Sequence, residues 1–91
     1  MRGRSVMRLI HEIGVRPHEF EAVSRRQKTS EVCIDAPSYQ VGDLVELYPW
    51  NKTMGRIGDH SIIREITFVR TEDDGPGLMP GHVMICFGEP S

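Results

Sequence analysis

Short runs in which apolar and polar residues alternate divide the chain into strand-sized segments. Alternation with a period of two is typical of half-buried β-strands, and glycine, proline and acidic clusters separate the runs. The pattern predicts strands over residues 8–15, 29–34, 44–48, 62–70 and 82–87. Between the third and fourth strands, residues 49–61 form the longest polar insertion, and residues 72–81 form a loop rich in glycine and proline.

A single helix is predicted in the N-terminal half, over residues 17–26. Pro17 suits a first helical turn, and Phe20 and Val23 form one apolar stripe. Glutamates in the first turn and arginines in the last complement the helix dipole. We expect this helix to pack across one end of a β core. The expected core residues are Leu9, Ile13, Val32, Ile34, either Leu44 or Val45, Leu47, Ile66, Phe68, Val83 and Ile85.

The element order indicates one α+β domain or small barrel, since no βαβ repetition is present. The 91 residues suffice for a single core, and closure of the sheet would remove its free edges. We expect a flexible lead-in at residues 1–7, the domain at residues 8–88 and a tail at residues 89–91.

Composition excludes some classes of partner. The formal charge is −2, with 11 Lys and Arg against 13 Asp and Glu, whereas a dedicated binder of duplex DNA is strongly basic. No apolar run is long enough to span a bilayer, and no apolar segment follows the first arginines as in a signal peptide. We therefore expect a cytoplasmic protein without a membrane partner.

The cysteines and histidines predict neither a cofactor nor a metal. Cys33 and Cys86 lie in apolar runs, which is more typical of thiols in a core than of a disulfide. The histidines are spaced unlike metal ligands and are expected to be solvated or singly hydrogen-bonded. They are His11, His18, His60 and His82.

The order of several short motifs resembles a known family. A Pro-x-x-Phe-Glu-Ala-Val helix precedes Lys-Thr-x-Glu, formed by Lys28, Thr29 and Glu31, and a Val-Gly-Asp turn follows. Over residues 8–88 this order resembles the ASCH branch of the PUA-like superfamily, and within it a bacterial and phage group of unknown function. The resemblance implies a small mixed PUA-like β-barrel of about five strands with the helix in its N-terminal half.

The chain departs from the family signature Gly-x-Lys-Thr-x-Glu-x-Arg at two positions. Arg26 stands where the glycine is expected, and Cys33 stands where the arginine is expected. The second change removes a planar donor that can hold a phosphate or carboxylate through two hydrogen bonds. In a pocket that binds an anion, Arg25, Arg26 or Arg64 would have to replace it.

The leading hypothesis is a small module that binds RNA or a nucleotide. A basic rim of Arg25, Arg26, Lys28 and Arg56 would position a phosphate, while Thr29 and Glu31 would read the edge of an unstacked base. The indole of Trp50 can stack on a base, although it is more often a cap over one end of a small core. We expect Lys28 and Glu31 to face one concavity, with Arg25, Arg26 or Arg64 at its mouth.

Other functions remain open. Lys28 and Glu31 can form an ordinary ion pair at the start of a strand. Some ASCH proteins are amidohydrolases that act on 4-acetylcytidine, and Lys28 and Glu31 would then be catalytic, although Glu31 stands where those enzymes have threonine. A third hypothesis is a phage-encoded protein that captures a host protein complex. An exposed apolar patch around Tyr48, Trp50 and Met54, or around Leu78 and Met79, would favour it.

Overall fold

The computed structural model describes residues 8–35 and 38–91, so the predicted lead-in and part of the loop before Tyr39 lie outside the described residues. The elements in chain order are β1 (Ile10–Val15), α1 (Pro17–Ser24), β2 (Ser30–Ile34), β3 (Leu44–Asn51), β4 (Gly55–Arg56), β5 (Ile62–Arg70), a 3-10 helix (Glu72–Asp74) and β6 (His82–Gly88). The predicted strands and helix are present. The predicted polar insertion adds β4, which pairs with an extended β3.

The strands form one mixed sheet in the order β1-β3-β5-β6-β2. β1 runs parallel to β3, and the other pairs along this path are antiparallel. Within the described residues β1 and β2 are the two edges of the sheet, since β1 pairs with β3 and β2 pairs with β6. The α+β class is therefore confirmed, but the prediction of a closed barrel is wrong.

A side chain, and not a backbone ladder, joins the two edges. The ring of Tyr39 lies 4.6 Å, centroid to centroid, from the ring of His11 on β1. Its hydroxyl is adjacent to the thiol of Cys33 on β2. Since β1 and β2 are separated by this tyrosine, they do not exchange the backbone hydrogen bonds that would close a barrel.

The core lies on one face of the sheet, beneath α1. Burial confirms six predicted core positions: Ile13, Val45, Leu47, Ile66, Val83 and Ile85. Val15, Val23 and Phe87 complete the set of buried apolar residues. α1 ends at Ser24 and not at the predicted Arg26. On this helix Val23 is fully buried, and Phe20 is partly buried and packs against the core. The helices of the described residues are too short and polar to cross a membrane.

Four predicted core residues are wrong: Leu9, Val32, Ile34 and Phe68 are each more than half exposed. Leu9 precedes β1. The β2–β6 register places Val32 opposite Met84 and Ile34 opposite His82, on the outer face of the sheet. The same register aligns Cys33 with the buried Val83, so the thiol faces the core.

A bulge accounts for the exposure of Phe68. In the β5–β6 ladder the register shifts between Ile66, which is opposite Phe87, and Phe68, which is opposite Cys86. The extra residue, Thr67, turns the strand so that Ile66 and Phe68 point to opposite faces. Simple alternation had placed both on the same face.

Candidate functional site

The turn after α1 carries the candidate site. The Gln27 amide donates to the carbonyl of Ala22 at 2.8 Å, and the Arg26 amide donates to the carbonyl of Val23 at 3.0 Å. This Schellman pattern requires a left-handed residue at the position of Arg26, whose φ is 61°. Glycine adopts this conformation without a Cβ clash, which gives a physical reason for the glycine at this position in the ASCH signature that the sequence resembles.

A cleft lies where the turn after α1 meets β5 and the end of β6, and we call it the junction cleft. Its volume is about 90 Å³. The lining residues are Val23, Arg26, Lys28, Thr29, Arg64, Phe87, Gly88 and Glu89. Four of the predicted ligand-binding residues, Arg26, Lys28, Thr29 and Arg64, are therefore brought together from separate parts of the chain. The floor is apolar, because Val23 and Phe87 belong to the core.

Arg64 is the most enclosed cation of the cleft, with 12% of its side chain exposed. Its guanidinium donates to the carbonyl of Ile63 at 3.1 Å and to the carbonyl of Val23 at 3.3 Å. The second contact holds it against the C-terminal end of α1, where the helix dipole favours a positive charge. Arg64 is thus fixed by the fold, and its Nη1 atom lies 3.7 Å from Glu89 Oε2.

Lys28 connects the junction cleft to Glu31. The Lys28 Nζ atom lies 3.4 Å from Glu31 Oε1, and both side chains are largely covered. Burial raises the pKa of Glu31, and the carboxylate of Glu19 adds to this, while the ammonium of Lys28 opposes it. Within the described residues, Glu31 Oε1 is buried without an aligned hydrogen-bond donor. Glu31 does not line the cleft, so its contribution there is to position Lys28.

A chain of polar side chains continues from Glu31 along the seam between β1 and β2. Burial, together with the nearby charge of Glu31, raises the pKa of Cys33 to about 11. Burial also raises the pKa of Tyr39 to about 12, and the adjacent Cys33 contributes. Both groups therefore keep their protons at neutral pH. A thiol in this state is a poor nucleophile, because the thiolate is the reactive form.

The buried pair His11 and Asp43 ends this chain, and sequence reasoning assigned it no role. His11 Nε2 lies 2.8 Å from Asp43 Oδ2, and the backbone amides of Leu9 and Gln40 also donate to this carboxylate. Burial raises the pKa of Asp43, but the hydrogen bonds from His11 and the amides outweigh it, so the pKa is lowered. The Val-Gly-Asp turn could have indicated the role of Asp43, because an aspartate that closes a turn often accepts hydrogen bonds from nearby backbone amides.

The remaining predicted ligand-binding residues lie outside the junction cleft. Arg25 is exposed and pairs with Glu21 at 3.7 Å. The guanidinium of Arg56 stacks 4.5 Å above the ring of Tyr48. Trp50 is 37% exposed and lines a separate recess with Arg16, Asn51 and Lys52.

These positions change the composition of the predicted rim. Two of its four members, Arg26 and Lys28, line the cleft, and Arg64 stands beside them. Within residues 8–35 and 38–91, no group of three or more His, Cys, Asp or Glu side chains is placed to hold a metal ion.

The fold and cleft define a small α+β domain with a compact polar site at a helix-to-strand junction. Residues 10–87 match the family described as "Domain of unknown function (DUF3850)". The match covers most of the chain, so the protein belongs to this family, and the predicted membership of a family of unknown function is confirmed. A search of curated proteins finds no match.

Proposed function

We propose that this protein binds single-stranded RNA or a nucleotide, with one phosphate group in the junction cleft. The observation that carries the proposal is the convergence of Arg26, Lys28 and Arg64 on one small concavity beside the hydroxyl-bearing Thr29. A cavity needs roughly 10–15 Å³ of this kind of volume to hold one water, so a cleft of about 90 Å³ has room for a group of several heavy atoms such as a phosphate. The sugar and base would lie on the surface outside.

Each cation has a separate task in this proposal. Arg64 is held by backbone carbonyls and offers a preorganised charge, which reduces the entropy lost on binding. Arg26 is exposed and can adjust to the ligand. Lys28 is held near the cleft by Glu31, so Glu31 acts through the lysine and not by direct contact with the phosphate.

We also propose that the family belongs to the ASCH branch of the PUA-like superfamily. The Lys-Thr-x-Glu motif at the junction of α1 and β2 supports this placement, as does the left-handed conformation at the position of the signature glycine. The open seam between β1 and β2 is the main departure from a closed PUA-like barrel. A solved structure of an ASCH protein with a different strand order would contradict this placement.

Binding is favoured over covalent catalysis at this site. Next to Glu31 along the seam, the thiol of Cys33 and the phenol of Tyr39 have pKa values raised to about 11 and about 12, so neither is an activated nucleophile. Nucleophilic catalysis needs an adjacent base or a lowered pKa, and burial acts here in the opposite direction.

The outer face of the sheet favours a protein partner as the second candidate. Val32, Ile34 and Phe68 are exposed on β2 and β5, and the strand registers place them on one face with Met84 and Cys86. An exposed apolar face of this kind is typical of protein contact surfaces. Loss of a pulled-down partner on Phe68→Ser substitution, with no RNA binding by the native protein, would favour this candidate.

The test of RNA binding compares two neighbouring arginines. Arg26→Gln removes a cleft cation, and Arg25→Gln removes an exposed cation one residue away with the same change in net charge. In titrations with a short single-stranded RNA followed by NMR, Arg26→Gln should weaken binding about tenfold to hundredfold, the range of a charge-assisted hydrogen bond. Arg25→Gln should leave the affinity nearly unchanged. Equal losses would mean general attraction and would contradict a defined site.

Salt dependence provides a second measurement. With one phosphate of a single strand neutralised in the cleft, the logarithm of the binding constant should fall against the logarithm of salt concentration with a slope of about −0.7. A slope near zero, or no binding to any RNA or nucleotide tested, would refute the proposed function.

A further inference from the structure

The carboxylate of Glu89 already occupies the mouth of the junction cleft. Glu89 Oε2 accepts a hydrogen bond from Arg26 Nε at 3.0 Å, and Arg26 Nη2 lies at ion-pair distance from the same oxygen, 2.8 Å away. Arg64 Nη1 lies 3.7 Å from the same oxygen. Two guanidinium groups from distant parts of the chain therefore converge on one anionic oxygen. This is the arrangement that arginine pairs use to hold phosphate as well as carboxylate.

The charge of Arg64 makes this contact significant. A largely enclosed cation is unfavourable without a counter-charge, and Arg64 receives only carbonyl dipoles from Val23 and Ile63. Within the described residues, Glu89 is the carboxylate at ion-pair distance from Arg64. An anion at this position is therefore favoured by the fold, whether it belongs to the protein or to a ligand.

Glu89 is held weakly enough to be replaced. It lies directly after Gly88, the last residue of β6, and its side chain is 54% exposed. The side chain of Arg26 is 69% exposed, and ion pairs this open to solvent contribute little to stability. A phosphate brings a larger charge and more acceptor oxygens than a carboxylate. The exchange therefore requires only a side-chain movement at the end of β6.

We propose that Arg26 and Arg64 form the phosphate subsite and that Glu89 is its built-in competitor. The inference rests on the proposed function, which places a ligand phosphate in the junction cleft. Glu89 fills the subsite when no ligand is present, compensates Arg64, and must leave before a phosphate can bind. An anion that binds weakly therefore cannot displace Glu89, whereas a ligand that also makes contacts outside the cleft can.

The competition has a measurable size. An ion pair this exposed shifts an equilibrium by at most about fivefold, so Glu89 should reduce the apparent affinity of the site by up to about fivefold. Glu89→Gln keeps the size of the side chain and removes its charge, so it should strengthen binding by about that factor. Glu21→Gln is the matched control, because Glu21 is an exposed carboxylate that pairs with Arg25 and makes the same change in net charge.

The experiment titrates the native protein and both variants with inorganic phosphate and with a short single-stranded RNA, followed by NMR. We expect tighter binding of both probes by Glu89→Gln only, and shifts of the Arg26 and Arg64 side-chain signals. Equal affinity of Glu89→Gln and the native protein would overturn the competition and leave the proposed function intact. Equal strengthening by Glu21→Gln would also overturn it, since long-range charge would then be the cause. Absence of binding in all three proteins would refute both the inference and the proposed function.

Discussion

Arg26 is held in an unfavourable backbone conformation, so replacing it by glycine should destabilise the domain less than replacing it by alanine. With φ at 61°, the residue is in the left-handed region, which costs a residue with a Cβ roughly 1–2 kcal/mol. Glycine removes this cost, although its flexibility in the unfolded chain returns about 0.4–1 kcal/mol of the gain. Alanine keeps the cost. Arg26→Gly should therefore be more stable than Arg26→Ala by about 1 kcal/mol.

This comparison separates the backbone from the side chain. Both substitutions remove the ion pair with Glu89, which contributes about 0–1 kcal/mol because both side chains are more than half exposed. The difference between the two variants therefore reports the backbone alone. For a domain of this size about 1 kcal/mol corresponds to roughly 4–8 °C in Tm, which thermal unfolding followed by circular dichroism resolves. If Arg26→Ala were as stable as Arg26→Gly, residue 26 would not adopt the left-handed conformation in solution, and the argument would fail.

Three further substitutions test the core, the buried contact between His11 and Asp43, and the packing at Trp50. Leu47→Ala should lower the free energy of unfolding, measured by urea denaturation, by about 2–5 kcal/mol. Val32→Ala, on the outer face of the sheet, should lower it by less than about 1 kcal/mol. Similar losses in the two variants would contradict the faces assigned to these residues. The pKa of Asp43 is lower in the folded protein than in the unfolded chain, so its carboxylate stabilises the fold fully above the unfolded pKa. This stabilisation is lost as the pH falls through the folded pKa. Asp43→Asn should remove this acid-dependent part of the free energy of unfolding, and an unchanged dependence of stability on pH in the acid range would refute the assignment. Gly14→Ala would place a Cβ 3.0 Å from Trp50 Cβ, so it should cost about 1–3 kcal/mol and shift the tryptophan fluorescence; a native spectrum with native stability would contradict this packing.

The sequence was a good guide to the elements and a poorer guide to their arrangement. Alternating runs and the Pro17 helix start gave the strands and α1 in the correct order, because these signals are local. The parallel pairing of β1 with β3 and the gap between β1 and β2 depend on contacts between distant residues, such as Tyr39 with His11. Such contacts leave no periodic signal in a single sequence.

The faces of two strands were assigned wrongly for a related reason. Alternation gives two sets of residues on a strand, but it does not say which set faces the core when both contain apolar side chains. On β2 the set with Val32 and Ile34 is more apolar, yet the register with β6 turns Glu31 and Cys33 inward. On β5 the bulge at Thr67 breaks the alternation.

The predicted site residues divide into those tied to a local motif and those that are not. Lys28 and Thr29 belong to the motif after α1, and Arg26 lies in the turn beside it, so all three line the junction cleft. Arg56 also carries a positive charge but lies against Tyr48. Glu89 was placed in a tail, because its contact with Arg26 spans 63 positions of the chain and no local pattern indicates it.

The tyrosine seam between the two sheet edges also has a consequence for the dynamics of the domain. Every other amide of β2 points away from β6, and within the described residues no strand pairs with β2 on that side. These amides should exchange with deuterium through local opening, while those of the central strands β3 and β5 require global unfolding. Tyr39 contacts His11 on β1 and Cys33 on β2, so we expect its removal to speed this local opening. Since β2 begins beside the junction cleft, ligand binding there should slow exchange along the whole strand.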